Sequence, residues 1–276
     1  MNLTCPVCKE ALTQNERNLR CINGHSFDAA RQGYWNLLLV QKKRSLDPGD
    51  NPAMVQARRR FLDLGFYQPL SERINQLATA QLSADRVNNI LDMGCGEGYY
   101  TQRLEHHLDS LEYPSQITGL DISKHAVKAA CQRSKKINWL VASGADIPLP
   151  EQSLDLQMVL FSRLMPDAFA RPMKPNSALL VAWPGPQHLI ELRQLIYAEI
   201  KESQFDPATT LAPAFEQQSI EQVSYKFTLK NAEEINALLA MTPHGQHLST
   251  EARERLDQLD HLELTLDVNL GLFTCS

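Results

Sequence analysis

The chain opens into alternating blocks of two hydrophobic periods. Near-continuous apolar runs occur at Ile90–Met93, in ITGLDIS (117–123), in INWLVAS (137–143), in LDLQMVLFSRLM (154–165) and in ALLVAW (178–183). Such runs read as parallel strands buried on both faces. Between them lie helical patterns: 102–108, 123–136 and a helix entered through Pro69 with Leu70, Ile74 and Leu77 on one face. Upstream, a further helix is expected over 52–64. Two later segments, 219–230 and 262–275, alternate apolar and polar residues as antiparallel strands do. Strands alternating with helices and closed by an antiparallel pair predict a Rossmann-like α/β sheet.

The first of these strands ends in chemistry. NILDMGCGEGYY (89–100) carries Asp92 and then Gly94, Gly96 and Gly98 at alternate positions before a helix begins. Glycines there let a ligand lie against the main chain, and the helix start offers unpaired N–H groups. About twenty residues on, Asp121 ends the next strand, where an acid takes the ribose hydroxyls of an adenosyl ligand. A dinucleotide loop has the spacing G-x-G-x-x-G to make room for a pyrophosphate. Here the spacing is G-x-G-x-G and Glu97 sits inside it, where a pyrophosphate is repelled. S-adenosylmethionine has no phosphate and carries ammonium and sulfonium charges that carboxylates attract. The loop resembles motif I of the class I methyltransferases, and the expected cofactor is S-adenosylmethionine held by Asp92, Gly94, Gly96, Glu97 and Asp121.

Composition adds a compartment and a charge asymmetry. The 276 residues exceed one typical domain, and 43% apolar content is ample for a core. No apolar run approaches the ~20 residues that span a membrane, and Met1–Glu10 is polar. The expectation is a cytoplasmic protein with reduced thiols. The net charge of −5 divides into +5 for residues 1–60 and −10 for the remainder. A basic module on an acidic domain is the asymmetry expected where one end meets a polyanion.

That basic end also holds three of the six cysteines. Cys5, Cys8, Cys21 and His25 have the spacing C-x2-C-x12-C-x3-H, two knuckles that together make a tetrahedral zinc site. Three thiolates and an imidazole close the shell, so the metal is expected to be structural. Phe27, Tyr34, Trp35 and 37–40 are expected to pack this module and a strand leaving it. Lys42, Lys43 and Arg44 form one basic cluster, and Arg58, Arg59 and Arg60 another on the 52–64 helix. Both are candidate RNA contacts. The expected division is a zinc module at 1–40, a basic linker and helix at 41–65, and a methyltransferase domain at 66–276.

Several blocks in this order extend the resemblance: the C-x2-C…C-x3-H knuckle, FDAARQGYWNLL, KKRSLDPGD, ARRRFLDLGFYQPL, LDMGCGEGYY, WPGPQHLIEL and LLAMTP. Together they resemble the bacterial large-subunit rRNA (guanine-N1) methyltransferases over nearly the whole length. The resemblance implies an rRNA partner, a homodimer, and cofactor contacts from Tyr67, Trp183 and His188. Class I enzymes often read adenine just after the third strand, where this chain places Ala145 and Asp146. At Phe161-Ser162-Arg163 it lacks the N/D-P-P-Y/F of exocyclic-amine methyltransferases, and Lys174-Pro175-Asn176-Ser177 replaces the family's K-P-G-G turn. The expected reaction is methyl transfer to guanine nitrogen-1 in an rRNA hairpin loop, with LLAMTPHG as a lid and no general base evident. Alternatives are a methyltransferase for another RNA or a small molecule, and a non-catalytic RNA-binding protein that retains the cofactor fold.

Overall fold

A computed structural model of the chain describes residues 2–42, 45, 47–201, 203–242 and 248–276, with the Lys42 side chain also left undescribed. The first four strands, β1 (Leu3–Thr4), β2 (Ala11–Asn15), β3 (Asn18–Arg20) and β4 (Ser26–Asp28), form an antiparallel meander in that order. The next strand, β5 (Trp35–Asn36), leaves that meander. It pairs in parallel at the edge of the main sheet, Trp35 opposite Leu140. Trp35 and Asn36, counted above with the zinc module, therefore belong to the large sheet by their hydrogen bonds.

Helix α1 (Pro52–Asp63) starts where the sequence says it should: Asn51 accepts from the Met54 N–H at 3.0 Å, and proline occupies the first turn. Helix α2 (Gln68–Thr79) follows, then β6 (Asn88–Met93), α3 (Tyr99–Ser110) and β7 (Ser115–Asp121). Helix α4 (Lys124–Arg133) is capped by Ser123, and β8 (Asn138–Val141) and β9 (Leu154–Leu160) come next. Short α5 (Pro166–Ala170), β10 (Met173–Pro184), α6 (Ile190–Ile196) and α7 (Pro207–Leu211) precede the long pair that closes the fold. That pair is β11 (Phe215–Leu229) and β12 (Leu262–Cys275), separated by α8 (Ala232–Met241) and α9 (Thr250–Asp257).

The main sheet runs β11-β12-β10-β9-β6-β7-β8-β5. Strands β5 to β10 run parallel to one another, whereas β12 lies antiparallel between β10 and β11. The order reverses between β6 and β9. In open α/β sheets that switch point opens a crevice at the C-terminal ends of the strands.

Successive residues of a strand face opposite sides, and here the two sides are covered differently. Ile90, Ile117, Leu156 and Leu180 pack with Phe61, Leu70, Ile74, Leu104 and Val127 from α1 to α4. The opposite face, with Leu91, Met93, Leu120 and Leu140, packs with Leu3, Leu12, Leu19 and Trp35. The connection 142–153 between parallel β8 and β9 contains no helix. A crossover helix is the usual cover at such a place. The zinc module supplies the cover instead, tied down by the Thr4 N–H to Pro148 O at 3.0 Å, the Leu37 N–H to Val141 O at 2.9 Å and a Lys9–Asp146 ion pair.

Candidate cofactor pocket and metal centre

The glycine loop leaves β6 at the switch point and turns into α3. Gly98 has φ +85° and caps α3; a Cβ there would sit 2.7 Å from the Trp139 ring, so position and conformation both demand glycine. A Cβ at Gly94, φ +79°, would lie 2.6 Å from the Ser162 hydroxyl at the end of β9. Loop and strand end are thus pressed together.

Around them lies a cavity of about 950 Å³ lined by residues that include Asp92, Gly94, Gly96, Glu97 and Asp121. Asp121 accepts the Gly96 N–H at 2.9 Å through Oδ2 and the Ser123 N–H at 2.8 Å through Oδ1. One carboxylate therefore fixes the loop and the start of α4 together. Asp92 is only 1% exposed. Its Oδ2 accepts from the Thr101 hydroxyl at 2.6 Å, while Oδ1 is buried without a hydrogen-bond partner. Burial pushes the Asp92 carboxyl up to about 7, against the lowering pull of Thr101. An orphaned buried carboxylate beside a ligand cavity fits a cationic ligand. The ammonium and sulfonium of S-adenosylmethionine meet that requirement; a pyrophosphate does not.

Glu97 turns out to brace the loop as well. Its Oε2 pairs with Arg133 Nε, and Arg133 also bonds Glu97 O at 3.2 Å and Asp63 Oδ1 at 2.9 Å. The guanidinium lies 5.6 Å from the Tyr99 ring centroid. Burial raises the Glu97 pKa while Arg133 opposes the rise.

The far wall comes from the turn after β10. Tyr67, Trp183 and His188 all line the cavity. His188 Nδ1 accepts the Asp267 N–H at 3.2 Å, which leaves the ring proton on Nε2, 3.4 Å from the Tyr67 hydroxyl. The turn is held by Asp267, fully buried in β12: its carboxylate accepts from the Gln187 N–H at 2.8 Å and Gln222 Nε2 at 2.6 Å. A Cβ at Gly185 would lie 2.4 Å from that carboxylate. Sequence reasoning missed Asp267 because it occupies the polar phase of the β12 alternation, where an acid ordinarily faces water.

Asp146 is placed elsewhere. It pairs with Lys9 and lines a second cavity between the zinc module and α5, and it is not among the residues lining the glycine-loop cavity. The expected basic clusters also come apart. Arg58 lines the cofactor cavity and pairs with Asp50 at 2.8 Å; Arg59 donates to Gln132 at 2.7 Å; Arg60 is exposed. Arg58 and Arg59 are therefore not one open basic face, because their guanidinium groups are committed to neighbouring acceptors. The linker residues before α1 cap the loop side, with the Ser123 hydroxyl donating to Asp50 O at 2.7 Å and His125 paired with Asp47 at 2.8 Å. Lys43 and Arg44, and Pro243–Gly245 of the expected lid, fall outside the described residues.

At the N-terminus, the ligand atoms of Cys5, Cys8, Cys21 and His25 lie within 4.8 Å of one another. Cys8 and Cys21 sulfurs are 3.7 Å apart, and His25 Nδ1 is 3.6 Å from Cys5 Sγ and 3.3 Å from Cys21 Sγ. A zinc tetrahedron with Zn–S of ~2.3 Å has S···S edges of roughly 3.8 Å. The four groups fit a structural zinc, and all four ligand positions are filled from the chain. Hydrogen bonds from the Asn23 side chain and the Glu10 backbone pull the Cys8 thiol down to about 6, toward the thiolate that binds metal.

These features define a class I, S-adenosylmethionine-dependent methyltransferase fold carrying a structural zinc ribbon. Residues 3–46 match the family described as RlmA, N-terminal, a zinc ribbon, and residues 90–174 match the methyltransferase domain family. A Streptomyces fradiae protein named 23S rRNA (guanine(748)-N(1))-methyltransferase is 34% identical, over 96% of this chain and 94% of its own. A Bacillus subtilis protein provisionally named 23S rRNA (guanine-N(1)-)-methyltransferase is 29% identical over the same shares. Among solved structures, a chain from the complex of the Haloferax volcanii Trm112 methyltransferase activator with a methyltransferase shares the fold: TM-score 0.51, 15% identity, 83% of this chain and 99% of that one. The chain belongs to the bacterial 23S rRNA (guanine-N1)-methyltransferase family.

The raised Asp92 pKa sets a pH dependence. The folded, cofactor-free protein holds a proton that the unfolded chain releases near the ordinary carboxylate value of 3.8, so this group's contribution to stability falls as pH rises toward 7. A cationic ligand prefers the ionised form, so cofactor affinity rises with pH through the same window. Calorimetric titration at roughly pH 5.5 and 7 is expected to show tighter binding at the higher pH, and Asp92→Asn to flatten the difference. An unchanged slope in that variant removes Asp92 as the responsible group.

Proposed function

We propose that the protein transfers a methyl group from S-adenosylmethionine to nitrogen-1 of a guanine in large-subunit rRNA, in the cytoplasm. The observation that carries this reading is end-to-end similarity to a relative of that name, zinc ribbon and cofactor pocket included. When bound, the cofactor supplies an electrophilic methyl group on a sulfonium. Asp92 is the group that meets its positive charge, and Asp121 the one that takes the ribose hydroxyls while holding Gly96 and Ser123. His188, with Nδ1 accepting from the Asp267 N–H, carries its ring proton on Nε2 facing the Tyr67 hydroxyl, and both side chains line the cavity. That tautomer does not accept a proton from the substrate at Nε2. Guanine nitrogen-1 carries a proton that passes to solvent as the methyl group arrives, and Arg193, which lines the cavity and among the described residues bonds only carbonyl oxygens, favours the anion.

RNA bases are read best when splayed from the strand, so the guanine is expected to enter the cavity unstacked. The test uses rRNA from a strain lacking the enzyme. Tritiated methyl groups are expected in rRNA, with a new reverse-transcription stop at one guanine, because nitrogen-1 lies on the pairing edge. Label confined to small-molecule extracts, or found in adenine, overturns the reading.

A further inference from the structure

One residue of the cavity has no part in the cofactor arrangement described above. Phe161, the first residue after β9, has φ +54°. Left-handed backbone is unfavourable for a bulky L side chain, and such strain gathers at functional sites. Among the described residues, the other non-glycine positions with positive φ are Lys9, Glu16, Glu112, Gln152, Asn176 and Leu189. None of these is aromatic. The bend at Phe161 is held from outside: its N–H donates to Ala182 O at 2.9 Å, and the following Ser162 abuts Gly94 of the cofactor loop.

The strain is not offset by burial of the ring. Phe161 is 40% exposed although it lines the cavity. Its ring centroid lies 6.3 Å from that of Tyr100, in the first turn of the helix leaving the cofactor loop. A large apolar surface is thus held open to solvent, inside a ligand cavity, beside the loop that receives the methyl donor. A purine drawn out of its stack needs a replacement face, and an aromatic ring supplies one for any base.

We propose that Phe161 is the platform on which the target guanine stacks when it enters the cavity. This rests on the guanine-N1 reading above. The ring replaces the stacking that the base loses on leaving the RNA and sets the plane in which nitrogen-1 is presented. The left-handed backbone is what turns the ring off the end of β9 toward the cavity rather than into the sheet.

The test compares Phe161→Leu, Phe161→Asn, Phe161→Tyr and Phe161→Trp in the full-length, zinc-loaded protein, using methyl transfer to an rRNA hairpin transcript and calorimetry with S-adenosylmethionine. Leucine keeps apolar bulk without a ring, and asparagine tolerates the left-handed backbone. Both are expected to lower kcat/KM for RNA ~10- to 100-fold, the range of one lost base–aromatic stack, with cofactor affinity within about twofold of wild type. Tyrosine and tryptophan are expected to stay within about threefold. Wild-type activity in the leucine or asparagine variant overturns the proposal, as does a parallel loss of cofactor affinity, which assigns the ring to the cofactor's side of the cavity. A wild-type protein that puts no label on guanine overturns the guanine-N1 reading and this one with it.

Discussion

Replacing Cys5 by serine, or stripping the metal with a chelator, is expected to lower the melting temperature by roughly 10 °C or more and to weaken cofactor binding with it. The size of the effect follows from where the ribbon sits. Cys5 is fully buried and belongs to the same apolar cluster as Leu91, Met93 and Leu140 of the sheet. Structural zinc supplies the folding free energy of such modules, so losing it uncovers strands that no crossover helix protects. Each large apolar side chain returned to water costs about 1.5–3 kcal/mol, and Leu3, Leu12 and Leu19 face the exposed strands. Differential scanning fluorimetry alongside zinc quantification checks this. A metal-free protein that melts at the wild-type temperature refutes the idea that the ribbon is part of the sheet's cover.

The second large effect is expected at Asp121. Asp121→Ala removes the acceptor for the Gly96 and Ser123 N–H groups and, at one stroke, the carboxylate proposed above to hold the ribose. Hydrogen bonds to a charged group contribute about 1.5–3 kcal/mol each. Losing two is expected to weaken S-adenosylmethionine binding by at least ~100-fold, with the circular dichroism spectrum unchanged. Asp121→Asn keeps one acceptor oxygen and is expected to fall between. Calorimetry separates the cases; near-normal affinity in the alanine variant would place the ribose elsewhere.

The parts of this site legible in the sequence are those set by short spacings. The glycine loop, Asp92 and Asp121 sit at strand ends whose apolar runs announce them, and the four metal ligands lie within 25 residues of one another. Helix α1, expected over 52–64, runs from Pro52 to Asp63. What was hidden depends on distant pairings. Nothing near Trp35 says that its backbone will meet Leu140. Asp267 looks like a surface acid until the turn from β10 folds over it. Arg58 and Arg59 read as free cations because Asp50 and Gln132 reach them only through the docked linker and α4. Asp146 fits an adenine-reading position by its order in the chain, yet it pairs with Lys9 of the ribbon and lines the second cavity instead.

The edge pairing of β5 with β8 has a consequence for the order of events on the ribosome. The ribbon and β5 are made first, but the strand they dock on is complete only when Val141 has been synthesised, roughly a hundred residues later. Until then Leu3, Leu12 and Trp35 have no sheet to cover. Metal loading can come early; the ribbon's docking is a late step of assembly, when nascent chains are prone to aggregate.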